Sequence, residues 1–212
     1  MRFRTLALVL LLCVCPAAVH GQAFDPDIRS ALEGVRNRGN SLAVRSMLAQ
    51  EGGQRSQRAL DALADSLVVI AVSASSDDYP DGRNVAMAAR LALAYSGKAE
   101  RSRPYRGAFE ALVRIFEDSD PNGTKYATLS LIAELPDHGR SVEYLSRIAV
   151  SENMMDAYTA VGLLGDRTGE LGLNRLRVLF TGDEVVDTTA KERLGWIASR
   201  EGWVREEVTP AA

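Results

Sequence analysis

The stretch Ala157-Tyr158-Thr159-Ala160-Val161-Gly162-Leu163-Leu164-Gly165-Asp166 decides the fold, because the same spacing recurs on either side of it. A small residue, then large-small-any-large, returns as Thr128 with Ile132-Ala133-Glu134-Leu135 and as Ala190 with Leu194-Gly195-Trp196-Ile197. The copies start 29 and 33 residues apart, at Ile132, Val161 and Leu194. Upstream of each lies a matching apolar face: Leu112-Val113-Arg114-Ile115-Phe116, Leu145-Ser146-Arg147-Ile148 and Leu176-Arg177-Val178-Leu179. A period of about 31 residues is the pattern of stacked helix pairs. One hairpin cannot bury its own apolar stripe, and a small residue at each crossing lets the neighbour close over it.

Outward from this core, apolar residues from Asp25 onward keep three- and four-residue spacing, with Gly, Pro, Asp and Asn as punctuation. The pattern predicts an all-α chain of about five antiparallel helix pairs. Their ranges are 26–37 with 41–51, 55–75 with 83–96, 104–117 with 123–135, 139–150 with 154–164, and 168–180 with 187–201. Asp25-Pro26 places a capping residue before a first-turn proline.

At these residues the chain resembles the HEAT-like repeat family, especially its short bacterial variety. Asp118-Ser119-Asp120-Pro121 resembles the Asp-Pro turn of such a repeat, and Leu164-Gly165-Asp166 its closing motif. The likeness covers about residues 104–200, and 26–97 more weakly. The chain departs from the pattern at Gly123-Thr124, where Val-Arg is usual, and at Leu135-Pro136-Asp137. The resemblance implies an α-solenoid whose second helices line a curved face offered to a protein partner. On that alignment the face includes Arg83, Arg90, Lys125, Tyr126, Tyr158, Lys191 and Glu192. The expected function is a non-catalytic interaction scaffold or adaptor. The alternative is a helical enzyme or ligand-binding protein using carboxylates or a divalent cation.

The ends of the chain set its expected location. Arg2 and Arg4, the apolar run Leu6 to Cys15, Pro16 and the small residues up to Ala23 have the layout of a secretory signal. Residues 1–23 are expected to be removed, leaving a repeat domain at 24–205 and a loose tail at 206–212, in the periplasm or secreted. The apolar run is about half of the ~20 residues a spanning helix needs, so no stable membrane span is expected.

Composition removes several chemistries. The 212 residues are 46% hydrophobic and 25% charged, an ordinary globular mix, and the formal charge is −3. That balance gives no basic excess for nucleic acid, which is not an expected partner. Loss of the signal leaves 23 cations against 28 anions, His138 alone, and no cysteine. Disulfides, Cys zinc sites, thiolate nucleophiles and metal sites built on two His drop out.

Several weaker motifs remain. Asp118, Asp120, Asn122 and Gly123 match the start of a calcium loop. Leu129 stands where the bidentate Glu belongs and Pro121 lies inside, so a helix-ending turn is favoured and no cofactor is expected. Asp77, Asp78 and Asp81 match less well. His138 lies between two helices with Ser141 and Glu143 near in sequence, but no Gly-x-Ser-x-Gly elbow occurs. Glu134, Asp137 and Glu143 are a possible carboxylate group of the kind that chance also produces. Lys98, Arg101, Arg103, Tyr105 and Arg106 form a basic connector able to grip an anion. Trp196 and Trp203 fit an end cap, with partner anchoring as the other reading.

Overall fold

Local sequence chemistry starts and stops the helices where the spacing predicts. The structure, a computed structural model, describes residues 26–48, 56–74, 82–97, 105–119 and 123–181. They form helices α1 (Pro26–Arg38), α2 (Leu42–Leu48), α3 (Gln57–Ser73), α4 (Gly82–Ser96), α5 (Ala108–Asp118), α6 (Gly123–Ala133), α7 (His138–Ala149), α8 (Met154–Asp166) and α9 (Gly169–Thr181), with no strand among the described residues. Side-chain oxygens accept from the otherwise unpaired first-turn amides. Ser56 Oγ accepts from Ala59 N at 3.3 Å, Asp137 Oδ1 from Arg140 N at 3.2 Å, and Asn153 Oδ1 from Met155 N and Asp156 N at 3.0 and 3.2 Å. Gly39 and Gly169 take φ of 60° and 62° at the α1–α2 and α8–α9 reversals, where a Cβ would be strained.

One predicted boundary shifts. Helix α5 begins at Ala108 rather than 104, because Tyr105 is held outside it: its N–H donates to Ser96 O at 2.8 Å and its side chain is buried. Helix α2 is described as far as Leu48, and the rest of its expected range, to 51, lies outside the described residues. The segment 1–23 expected to be a signal, the predicted helix 187–201 and the expected tail 206–212 lie outside the described residues.

Packing follows chain order. Each helix packs against the next, and α1–α3, α2–α4, α3–α5, α4–α6, α6–α8 and α7–α9 also pack, as do α1 and α4. Long side chains close the α5–α7 step: Tyr144 meets Phe109 and Phe116 edge-on, with ring centroids 6.0 and 6.3 Å apart. The repeated motif sits at the crossings. Thr128, Ile132 and Ala133, and then Ala157, Val161 and Leu164, are all wholly enclosed. They join Leu63, Leu67, Leu93, Leu112, Ile115 and Leu145 in one continuous core.

One tight junction is Gly97, buried where α4 leaves for α5. A Cβ there would lie 2.7 Å from Ala108 Cβ and 3.0 Å from Leu135 Cδ2. Gly97→Ala is expected to cost about 1–3 kcal/mol through overpacking. Urea unfolding checks this, as a lower midpoint with unchanged slope.

Candidate functional site

The odd and even helices differ in what they show to solvent. On α3, α5 and α7 the outward stripes are mostly charged: Asp61 and Asp65, with Val69 exposed one turn on, then Glu110, Arg114 and Glu117, then Arg140, Glu143 and Arg147. Exposed ion pairs bridge these stripes, Arg114 Nη1 to Asp65 Oδ1 and Arg140 Nη2 to Glu110 Oε1, each at 2.6 Å. Arg140 also stacks over Phe109, 4.3 Å from its centroid. On α9, Arg175 Nε donates to Ser146 Oγ of α7 at 3.2 Å.

The outward stripes of the even helices carry almost no charge. After Arg83 and Asn84, α4 shows Met87, Leu91 and Tyr95; α6 shows Ala127, Ser130 and Leu131; α8 shows Tyr158, Thr159 and Gly162. Leu91 is 44% exposed. A charge-poor, partly apolar strip with tyrosines has the composition of a protein-binding surface.

The residues expected to form a charged face on these helices are placed differently. Arg83 is exposed at the start of α4. Arg90 is not on any face: it is fully buried, which corrects the expectation. Its Nε donates to Thr128 Oγ1 at 2.7 Å, its Nη2 to Ser119 Oγ at 2.9 Å and its Nη1 to Ala71 O at 3.3 Å, so it ties α3, α4, α6 and the end of α5 together. Burial lowers its pKa to about 10, which still leaves the guanidinium charged at neutral pH.

Lys125 is likewise turned inward, a second correction. Its Nζ lies 3.3 Å from Asp156 Oδ2 and 4.6 Å from the Phe116 ring centroid, and only 11% and 12% of the two side chains is exposed. Asp156 Oδ1 is buried and accepts no hydrogen bond in the structure. Tyr126 and Tyr158 are half-buried on α6 and α8. Burial, and then the Asp156 carboxylate, raise the Tyr126 hydroxyl above its ordinary range. Lys191 and Glu192 lie outside the described residues.

Among the described residues the other motifs do not assemble into a catalytic group. Asp118 is exposed at the end of α5, whereas Asp120 and Asn122 lie outside the described residues. No three His, Cys, Asp or Glu come together as metal ligands among the described residues. His138 opens α7 on the surface, and nearby Ser141 Oγ is buried, donating to Ile132 O at 2.7 Å. Glu134, Asp137 and Glu143 are exposed; Asp137 serves as the α7 cap. Of the basic connector, Arg106 is exposed and Tyr105 is buried, its hydroxyl donating to Asp61 Oδ1 at 3.0 Å. No helix among the described residues is long and apolar enough to cross a membrane.

Comparison of the chain with known protein families, with curated proteins and with solved structures returns no match.

Two predictions follow from the ties. Lys125→Met leaves Asp156 buried without its cation and is expected to cost about 3 kcal/mol, whereas Arg114→Met on the exposed row is expected to cost less than about 1 kcal/mol. Equilibrium denaturation of both variants compares them. The second concerns alkaline pH. Tyr105 is raised by burial and by its bond to Asp61, Tyr144 by burial and by Glu117, to which its hydroxyl donates at 3.3 Å. In the unfolded chain these hydroxyls ionise near their ordinary value of about 10. The folded state therefore holds more protons above that pH, and stability falls as pH rises. The Tyr105→Phe, Tyr144→Phe double variant is expected to lose stability less steeply between about pH 10 and 12 when thermal melting is followed across that range.

Proposed function

We propose that this chain is an exported α-solenoid of the HEAT-like type that binds a protein partner through the outward stripes of α4, α6 and α8. The observation that carries the reading is the segregation of charge. The odd row is charged and bridged by ion pairs, while the even row presents Met87, Leu91, Leu131 and Tyr158 with little charge between them. A surface kept only for solubility gains nothing from such asymmetry, because charge on every face serves that purpose better.

Three further observations support the solenoid part. Packing runs between neighbours in chain order. Side-chain ties recur at close to the sequence period, with Lys125 to Asp156, Arg140 to Glu110 and Arg175 to Ser146 separated by 31, 30 and 29 residues. The small crossing residues Thr128 and Ala157 are equivalent in the sequence pattern and equally enclosed. Export rests on the sequence of residues 1–23 alone.

The scaffold function is tested with tagged mature protein, crosslinked and recovered from the envelope or secreted fraction. Leu91→Glu combined with Tyr158→Glu is expected to abolish capture of a specific partner, with circular dichroism unchanged. Arg114→Glu, on the odd row, is expected to leave capture intact. Equal loss in both variants, or no partner above background in the parent, overturns the reading.

A further inference from the structure

At the edge of the even row, Arg45 of α2 lies flat on Tyr95 of α4, with its guanidinium carbon 3.6 Å from the ring centroid. Tyr95 belongs to the same outward stripe as Met87 and Leu91. The guanidinium is partly buried, and its Nε is enclosed without an acceptor. Among the described residues no carboxylate lies within ion-pair distance of Arg45 and none accepts a side-chain hydrogen bond from it. It differs in this from the other inward-turned cations. Arg90 spends its donors on Thr128, Ser119 and Ala71, and Lys125 meets Asp156.

A guanidinium fixed on an aromatic face has lost the side-chain freedom that binding otherwise costs, and its outer edge offers two parallel N–H donors. That fork matches the two oxygens of a carboxylate. The surrounding charge has the same sense: residues 26–48 carry Arg29, Arg36, Arg38 and Arg45 against Asp27 and Glu33, and the three α1 arginines are exposed. Lys98, Arg101 and Arg103 lie outside the described residues and are not part of the site.

We infer that Arg45 stacked on Tyr95 is a receptor for a side-chain carboxylate of an acidic peptide segment. This rests on the protein-binding reading above and specifies the partner's chemistry. The apolar strip supplies contact area, and Arg45 fixes where along the row an Asp or Glu of the partner must lie. An aromatic with an arginine beside an apolar patch is the composition of an interface hot spot.

The test uses the mature chain and a capped hexaglutamate peptide, with hexaglutamine as the uncharged control, at constant ionic strength. Binding is read by calorimetry and by the Arg45 Nε–H resonance. Hexaglutamate is expected to shift that resonance while hexaglutamine does not. Arg45→Gln is expected to weaken binding about tenfold, and Arg114→Gln, on the odd row, to leave it unchanged. Arg45→Lys keeps the charge without the fork and is expected to weaken binding while melting like the parent, which separates recognition from folding. Tyr95→Leu is expected to weaken binding by removing the stack.

An unmoved Arg45 resonance, or equal affinity in Arg45→Gln, overturns the inference. Inorganic phosphate binding at Arg45 as tightly as hexaglutamate overturns the carboxylate assignment. The titration needs no natural partner. A silent Arg45 beside a partner that Leu91→Glu with Tyr158→Glu releases overturns this inference alone. A responsive Arg45 with no partner captured overturns only the scaffold reading.

Discussion

The structure depends on the close approach of helices at small residues. Thr128 and Ala157 leave room at their crossings, and Ile132, Val161 and Leu164 are wholly enclosed where helices of the adjoining pairs, as well as their own partners, pack against α6 and α8. Without that approach each pair would leave an apolar stripe in water, at roughly 25 cal/mol for each Å² left uncovered. Gly97 is a further case, a position where even a methyl group meets Ala108. The core is therefore a series of shared surfaces, and no pair of helices owns its part of it.

Polar ties reinforce these surfaces unequally. On the odd row the ion pairs are exposed, compete with water and contribute little each. On the even row Arg90 and Lys125 are enclosed, so their partners are fixed by the cost of leaving a buried charge or donor unmet. The side of the molecule proposed to meet the partner is thus held from beneath by charges that never reach its surface. Arg45 is set apart by having a stacking partner and, among the described residues, no acceptor for its Nε.

The helices were largely legible in the sequence because their signals are local. Apolar spacing marks the stripes, and Ser56, Asp137 and Asn153 cap the helices they precede. The late start of α5 was not legible, since it depends on Tyr105 reaching Asp61, 44 residues away. The candidate face was misread for a related reason. Helical spacing puts Arg90 and Lys125 on the second helices, but it does not say whether a long side chain runs outward or into a neighbour. A usable signal was present all the same. From Tyr126 to Ala133 and from Ala157 to Gly165 there is no charged residue, while α5 and α7 carry one every three or four. Arg45 on Tyr95 had no such signal, because 50 residues separate them in the chain.

Packing between neighbours in chain order also shapes how the chain reaches its native state. The helix pairs that meet are at most three elements apart, so the entropy lost in closing each loop is small and is regained at once by the burial that follows. In the proposed solenoid, ordering can begin at any crossing and spread in both directions, each new pair completing the surface of the one before. An amide in α6 or α7 can then exchange with solvent only after the outer helices have come away, so protection should rise from the ends of the array toward its middle.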